Sequence, residues 1–317
     1  MTDQELVAAL APALPGRAIV GLERRPSPYR TSFALEEVDL LTDDGARLEL
    51  MLKPAAWSDL SEEARRVRPR FLHDPRRELA VYREILGPCG IGAPALLAAA
   101  GDGGWIAIER LRADALYEVG EPDAWVGAAA WAGRLHAALA PRAAALAGRA
   151  GLARHDAASY RVWMERARRF RPHADLELLA AGHDRLAEEL AALPRTVVHG
   201  ELYPANVLVE RTGGRPEIRV VDWERAGHGP GLLDLAALTG GGLDPDVRVA
   251  MVAAYREAAG ASAPGRGAFE RALEACRLHL ALQWLGWSAD WSPPPEHAQD
   301  WLAEALASAR RLRILPR

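Results

Sequence analysis

The stretch from Thr196 to Val209 carries side chains that suit phosphate and metal chemistry. It reads Thr-Val-Val-His-Gly-Glu-Leu-Tyr-Pro-Ala-Asn-Val-Leu-Val, so its β-branched residues predict a strand on each side of a short polar loop. Glu201 lies on this loop, and Asn206 ends it. A third strand, which would pair with the strand after the loop, is predicted at residues 217–221 and leads directly into Asp222. Two acids and an amide therefore gather near the ends of two predicted strands.

These strands are joined by a turn that contains Gly213 and Gly214. If they pair around that turn, Asn206 and Asp222 lie within one residue of being opposite each other. An amide oxygen and a carboxylate suit Mg²⁺, which keeps waters and substrate phosphates as its other ligands. The spacing therefore predicts a magnesium site at one end of a hairpin, with Glu201 facing the same space.

Lys53 is the only lysine in 317 residues, and the other 38 of the 39 basic residues are arginine. It ends the alternating run Leu-Glu-Leu-Met-Leu-Lys, a predicted strand whose leucines share one face while Met51 and Lys53 share the other. A compact ammonium held on a strand can bind a phosphate as a point charge. The alternative is that this lysine lies on a solvated strand edge.

A helix is predicted after this strand, with Asp74 as its N-cap and Pro75 at the first helical position. Glu78 shares a stripe of this helix with Tyr82 and Ile85, so its side chain points inward. An inward carboxylate needs a partner, because an unpaired buried charge is costly. Lys53, on the preceding strand, is the expected partner.

The elements that position these residues divide the chain in two. Strands are predicted at residues 33–41, 47–53 and 105–108, and Asp-Asp-Gly at 43–45 joins the first two as a hairpin. From Asp123 onward the chain is helical and rich in alanine, with helices predicted at 125–139, 157–170 and 176–193. We place the boundary between the two parts near residue 110.

Composition limits the possible partners. A net charge of −4 and a pI near 6.2 give no electrostatic reason to expect nucleic acid or a membrane surface. No apolar stretch is long enough to span a bilayer, and the N-terminus lacks the positive charge of a signal peptide. Cys89 and Cys276 have neither disulfide nor metal spacing. We expect a soluble, cytoplasmic protein that binds no nucleic acid and no membrane.

Several short motifs together resemble the aminoglycoside phosphotransferase and choline kinase-like family. That family has His-Gly-Asp-Leu-His-Pro-Gly-Asn followed by Ile-Asp-Trp-Glu, where this chain has His-Gly-Glu-Leu-Tyr-Pro-Ala-Asn from His199 and Val-Asp-Trp-Glu around Asp222. The Gly-Leu-Leu-Asp-Leu-Ala run around Asp234 and the Leu-His pair at 135–136 are also similar. Order and spacing agree from Lys53 to Asp234, which is most of the chain.

The resemblance implies an α+β, bilobal protein kinase-like fold. Residues 1–109 would form a strand-rich, nucleotide-binding N-lobe, and residues 110–317 a mainly helical C-lobe with the catalytic loop, the metal site and the acceptor pocket. The implied activity is transfer of the γ-phosphate of ATP or GTP to a hydroxyl of a small molecule. An aminoglycoside, an amino alcohol or another natural product would be the acceptor.

On the nucleotide side, the resemblance implies that Lys53 binds the α- and β-phosphates and pairs with Glu78. Met51 would lie over the adenine. Backbone groups of Glu109 and Leu111 would hydrogen-bond to the base at the hinge between the lobes.

On the chemical side, the resemblance implies that Asn206 and Asp222 hold Mg²⁺. Glu201 occupies the position of the catalytic base, and Asp234 is expected to brace the catalytic loop. His199 is expected to brace the loop as well rather than to carry a proton.

Two departures from the family bear on function. Glu201 stands where the family has Asp, so the alternative to an enzyme is a catalytically silent, nucleotide-binding protein that acts through a partner. No glycine-rich phosphate loop is visible between the first two strands. Hydroxyl and backbone groups of Ser27, Thr31 or Ser32 could bind the phosphates instead.

The acceptor side is less defined. Tryptophans 284, 287, 291 and 301, with Asp290, Glu296 and Asp300 among them, could form an aromatic wall for a cationic or sugar-like alcohol. The alternative is that Trp284 and Trp287 pack the core of a helix. Five arginines between 161 and 171 could attract an anion, although a solvated basic face is the favoured interpretation.

Overall fold

A computed structural model gives the fold of residues 1–29, 32–212, 215–292 and 298–315. Thr31, the Gly213-Gly214 turn and Glu296, which the sequence analysis singled out, lie outside these described residues.

Five antiparallel strands form the N-terminal sheet in the order β1-β2-β3-β5-β4. The strands are β1 (Ile19–Pro26), β2 (Glu36–Thr42), β3 (Arg47–Pro54), β4 (Leu96–Ala99) and β5 (Trp105–Glu109). The predicted hairpin between β2 and β3 is confirmed, since the Gly45 N–H donates to the Thr42 carbonyl at 2.9 Å. Gly45 has a φ of +82°, which a residue without a Cβ adopts without strain.

Strand β3 has the two faces predicted from its alternation. Leu50 and Leu52 are buried in a cluster that includes Leu6 of helix α1 (Asp3–Leu10). Met51 packs against the other, larger hydrophobic core. Lys53 lies on the same side of the strand as Met51, which directs it toward the second half of the molecule.

The segment between β3 and β4 contains α2 (Glu62–Val67), α3 (Arg77–Val81), a π-helical turn (Tyr82–Leu86) and α4 (Gly87–Cys89). The predicted N-cap was wrong, because α3 begins at Arg77. Asp74 accepts instead from the N–H of Arg76, two residues on, at 3.0 Å, so it closes a turn before the helix. Glu78 is buried on the inner stripe as predicted.

The remainder of the chain is mainly helical. Its helices are α5 (Pro122–Leu139), α6 (Ala143–Arg149), α7 (Ala157–Phe170), α8 (Ala174–Ala191), α9 (Leu232–Leu238), α10 (Pro245–Ala259), α11 (Arg266–Leu285) and α12 (Trp301–Arg311). Its short strands are β6 (Asp114–Ala115), β7 (Ala153–Arg154), β8 (Arg195–Val198), β9 (Val207–Thr212), β10 (Arg215–Val220) and β11 (Gly227–Pro230). They form the sheets β10-β9-β6 and β7-β11-β8.

A strand-rich lobe and a mainly helical lobe give the α+β, bilobal arrangement of protein kinases, as predicted. The limit between the lobes near residue 110 stays a prediction. Among the described residues, every helix is too short or too polar to cross a bilayer.

Candidate active site

The hairpin of β9 and β10 sets the register of the predicted metal ligands. Val207 pairs with Val220, and the N–H of Val221 donates to the Asn206 carbonyl at 3.0 Å. Asn206 is therefore opposite Val221, and Asp222 follows one residue later, as the spacing predicted. Asp222 has a φ of +66°, a left-handed conformation that turns the chain out of the strand.

Lys53 lies among three carboxylates. Its Nζ is 2.7 Å from Glu78 Oε2, contacts a carboxylate oxygen of Asp222, and is 4.0 Å from Glu224 Oε2. The side chains of Lys53 and Glu78 are only 10% and 4% exposed. The predicted pair of Lys53 and Glu78 is present, and the same ammonium joins it to Asp222 across the cleft.

Burial and charge compete in this cluster. Burial raises the pKa of Glu78 to about 7, although Lys53 opposes the rise. Burial alone would raise the pKa of Asp222 and lower the pKa of Lys53. The attraction between the two groups outweighs burial, so the pKa of Asp222 is lowered and that of Lys53 is raised. Lys53 and Asp222 therefore carry their charges at neutral pH.

Asp234 anchors the start of the loop that carries Glu201. Its buried carboxylate accepts the N–H groups of His199 at 2.7 Å and of Gly200 at 2.9 Å, and it lies 3.1 Å from Nε2 of His136. All of these contacts are inside the protein, so the expected bracing contacts are present. A carboxylate that accepts backbone N–H groups fixes the position of the loop.

His199 joins the loop to the hairpin. Its Nε2–H donates to the Val221 carbonyl at 2.9 Å, and its Nδ1 accepts the N–H of Glu201 at 3.3 Å. Burial lowers the pKa of His199, so the imidazole is neutral and both nitrogens are engaged. The side chain therefore holds Glu201 and Asp222 in one arrangement.

Glu201 and Asn206 contact each other through the loop backbone. The Nδ2 of Asn206 donates to the Glu201 carbonyl at 2.9 Å, which leaves the amide oxygen as the group to ligate a metal. The Glu201 carboxylate borders the cleft, with Oε1 at 3.5 Å from Nε of Arg225. Burial raises the pKa of Glu201 to about 7, and Arg225 opposes this. A carboxylate with this pKa can accept a proton near neutral pH.

A cleft of about 220 Å³ lies in front of Glu201. Its walls are formed by Ser32, Arg68, Glu201, Tyr203, Asp222, Glu224, Gln283, Trp284, Trp287 and Trp291. Trp284 stacks on Trp291 at a centroid distance of 5.2 Å and on Trp301 at 5.1 Å. Trp284 and Trp287 are half-buried at the cleft, so they form an aromatic wall rather than packing a helix core alone.

The arginines of α7 have partners inside the protein. Arg166 donates to the carbonyls of Gly286 and Trp287, both at 2.7 Å, and Arg171 donates to that of Trp291 at 3.2 Å. Ion pairs with acids of α7 and α8 engage Arg161 and Arg168. The acids that pair with Arg161 and Arg168 are exposed, and so is Arg169, so these three arginines lie on a solvated face as the favoured interpretation predicted. Arg166 and Arg171 instead hold the tryptophan wall.

The residues predicted for the nucleotide base lie on and after the central strands. Met51 pairs with Ile108 of β5. The N–H of Glu109 donates to the Ala95 carbonyl at 2.8 Å, so this N–H is already engaged within the protein. Leu111 follows in the segment between β5 and β6.

Ser27, predicted to cover phosphates, follows β1. It is only 1% exposed, and its Oγ accepts the N–H of Tyr29 at 3.2 Å. The hydroxyl shapes this turn, and a role in phosphate binding stays a prediction.

Two arginines near Glu201 and Glu224 were not predicted from the sequence. Arg68 contacts the carboxylate of Glu224, and Arg225 lies beside Glu201. Arg225 had one available signal, since it directly follows Asp-Trp-Glu. Arg68 lies in a stretch without clear periodicity, and 38 arginines give no reason to single it out.

The described residues contain no group of three or more His, Cys, Asp or Glu side chains that could hold a metal ion. Asn206 and Asp222 provide one amide oxygen and one carboxylate on the same hairpin. Such a pair fits Mg²⁺, which keeps waters and substrate phosphates as its remaining ligands.

A known family matches most of the chain. The model of the phosphotransferase enzyme family, APH, matches residues 34–272. A search of curated protein sequences finds no match.

Solved structures share the fold along almost the whole chain. The choline kinase LicA from Streptococcus pneumoniae is similar at a TM-score of 0.56 and 13% identity, over 99% of each chain. A choline/ethanolamine kinase family protein from Mesorhizobium loti is similar at 0.55 and 18% identity, over 100% of this chain and 96% of that one. The GDP and kanamycin complex of APH(2″)-IIIa is similar at 0.55 and 12% identity, over 98% and 99%.

Proposed function

Because this chain belongs to the phosphotransferase enzyme family, we propose that it transfers the γ-phosphate of ATP or GTP to a hydroxyl of a small molecule. A single observation carries the proposal. The Lys53 ammonium joins Glu78 to Asp222, Asp222 and Glu201 border the same cleft, and the Asn206 amide donates to the Glu201 carbonyl. A phosphate-binding cation, a pair of metal ligands and a proton acceptor are thus brought together.

Lys53 would bind the α- and β-phosphates, and Asn206 and Asp222 would hold Mg²⁺. The ion, when bound, neutralises charge on the phosphate oxygens. Lys53 then exchanges its contact with Asp222 for the phosphates, while Glu78 keeps the ammonium in place. The GDP in the structure of APH(2″)-IIIa supports a nucleotide as the phosphate donor.

Nucleotide binding would also use the strands and the hinge. We propose that Met51 lies over the base and that the Glu109 carbonyl and the Leu111 backbone hydrogen-bond to it. Ser27 would contribute to the turn that covers the phosphates.

Glu201 would orient the acceptor hydroxyl and take its proton. The acceptor oxygen forms a bond to the γ-phosphorus, and the bond from that phosphorus to the bridging oxygen breaks. The nucleoside diphosphate leaves with the electron pair. Because the transition state is loose, a longer carboxylate that still reaches the hydroxyl and accepts its proton can serve. Glu201 is one methylene longer than Asp and is held from both sides, by His199 at its backbone and by Arg225 at its carboxylate.

The acceptor side of the cleft favours an alcohol that also carries a cationic or sugar-like group. Trp284, Trp287 and Trp291 present aromatic faces, and Glu201 and Glu224 add negative charge. Amino alcohols, aminoglycosides and glycosylated natural products share this chemistry. Cys89 and Cys276 are both free thiols, in keeping with the cytoplasm as the site of action.

The proposal is tested by incubating the protein with ATP or GTP, Mg²⁺ and a panel of these acceptors. Acceptor-dependent release of nucleoside diphosphate is measured, and the product is identified by mass spectrometry as heavier by one phosphoryl group. Asp222→Asn is the control and should give no product. If nucleotide binds but no acceptor gives product, the alternative of a silent nucleotide-binding protein, raised by Glu201 in place of Asp, replaces the enzyme.

A further inference from the structure

A second cation, Arg68, lies beside Lys53 at the cleft. Its guanidinium contacts the Glu224 carboxylate, and the same carboxylate is 4.0 Å from Nζ of Lys53. Both cations also lie over the ring of Phe33, at 5.9 Å for Lys53 and 5.8 Å for Arg68. Glu224 and Phe33 therefore hold two cationic groups at one place.

The Arg68 side chain is held in the wall of the cleft and is only 7% exposed. One terminal nitrogen, Nη2, donates to Glu224. Its Nε is buried and has no hydrogen-bond partner within the described residues. A buried N–H group without a hydrogen-bond partner is costly in free energy. The Nε–H of Arg68 is therefore suited to donate a hydrogen bond to a ligand. Asp222 and Glu201 border the same cavity as Arg68.

A purely structural role explains Arg68 less well than it explains Arg77. Arg77 donates to the carbonyls of Gly151 at 2.9 Å and Glu224 at 3.0 Å, so its guanidinium is used to join the two lobes. Phe71 adds a further contact to Trp163, at a centroid distance of 5.6 Å. The segment that carries Arg68 is therefore held to the C-terminal lobe without it.

We propose that Arg68 binds the γ-phosphate and stabilises the charge on the transferred phosphoryl group. During transfer, charge spreads over the three equatorial oxygens while one phosphorus–oxygen bond breaks and another forms. A guanidinium held at one nitrogen by Glu224 still presents other N–H groups in a fixed fork. This inference rests on the proposed function. It assigns a phosphate ligand in a chain whose sequence has no glycine-rich loop.

The test compares two nucleotides in Arg68→Gln and in a matched control. Arg65→Gln changes an arginine on α2 that donates to the exposed backbone at Ser58 and is not among the residues that line the cleft. Calorimetry measures the affinity for Mg-ADP and for a non-hydrolysable Mg-ATP analogue. We expect Arg68→Gln to bind ADP like the wild type and the analogue about 10- to 100-fold more weakly, because only the analogue carries the γ-phosphate. Arg65→Gln should match the wild type for both.

An equal loss of affinity for the two nucleotides, or no loss for either, would overturn the assignment of Arg68. Binding of ADP also shows that the variant is folded. If Arg68→Gln does not fold, Arg68→Lys is used instead, because it keeps the charge opposite Glu224 but lacks the planar fork. Compared with the wild type, its affinity for the analogue must then fall severalfold more than its affinity for ADP. A wild type that binds neither nucleotide would overturn the proposed function itself, and the assignment with it.

Discussion

Replacing Lys53 with Met tests the charge cluster at the centre of the site. The two side chains have similar lengths, but the change leaves Glu78, Asp222 and Glu224 without their shared cation. Removing one partner of a buried ion pair typically costs about 3–5 kcal/mol. Asp222 is partly exposed and recovers water, so the main penalty falls on Glu78, which is 4% exposed. We expect a loss of roughly 3 kcal/mol in unfolding free energy at alkaline pH.

The loss should depend on pH. The pKa of Glu78 is about 7 with Lys53 present and its ordinary value is 4.5, so the folded chain holds this proton more tightly than the unfolded chain. Removing Lys53 raises the pKa of Glu78 further. The contribution of Glu78 to the stability of the variant should therefore be fully present below pH 4.5 and be lost as pH rises through 7 and beyond.

The assay is urea unfolding followed by tryptophan fluorescence at about pH 6 and about pH 8. Lys53→Met combined with Glu78→Gln is the control, because it removes the buried carboxylate as well. We expect the double variant to be more stable than Lys53→Met at the higher pH and to depend less on pH. A Lys53→Met protein as stable as the wild type at both values, with unchanged nucleotide affinity, would refute the reasoning.

Three further predictions concern Glu201 and the buried histidines. Because burial raises the pKa of Glu201 to about 7, transfer should increase with pH through that value, and a rate profile that is flat between about pH 6 and 8 would contradict a role as base. Glu201→Asp should lower kcat by about 10- to 100-fold, because a carboxylate withdrawn by about 1 Å reaches neither Arg225 nor the hydroxyl. Steady-state kinetics measures this effect, and full activity of the variant would contradict the proposed positioning of Glu201. Burial lowers the pKa of His183 to about 4 and that of His279 well below its ordinary value. Stability should therefore fall as pH drops from about 6.5 toward 4, by up to about 3 kcal/mol for His183, and His183→Gln should make this fall shallower in acid unfolding experiments.

Much of the site could be predicted because its residues are tied to regular elements. The alternation of β3 placed Lys53 opposite the leucines, and the helical stripe turned Glu78 inward, so the pair followed from two local patterns. The register of Asn206 and Asp222 followed from counting residues across one hairpin. In each case the regular spacing of residues within one strand, helix or hairpin determines where a side chain lies.

Other features depend on contacts between segments that are distant in the sequence, so local sequence patterns do not predict them. Arg68 meets Glu224 across 156 residues of sequence. The tryptophan wall is held by Arg166 of α7 and by Arg171, which directly follows that helix. The start of α3 was misplaced for a different reason. Asp74 and Pro75 form a good N-cap pattern, but Asp also favours a tight turn, and here the turn takes the side chain.

The central claim is that Glu201 acts on an acceptor hydroxyl at a nucleotide held by Lys53. The most direct test measures single-turnover phosphoryl transfer to a productive acceptor from the panel, in the wild type and in Glu201→Gln. The nucleotide affinity of both proteins is measured as well. Gln is close in size but cannot take a proton, so transfer should be abolished while nucleotide affinity stays nearly unchanged. Unchanged transfer in Glu201→Gln would remove this residue from the mechanism and contradict the proposed chemistry.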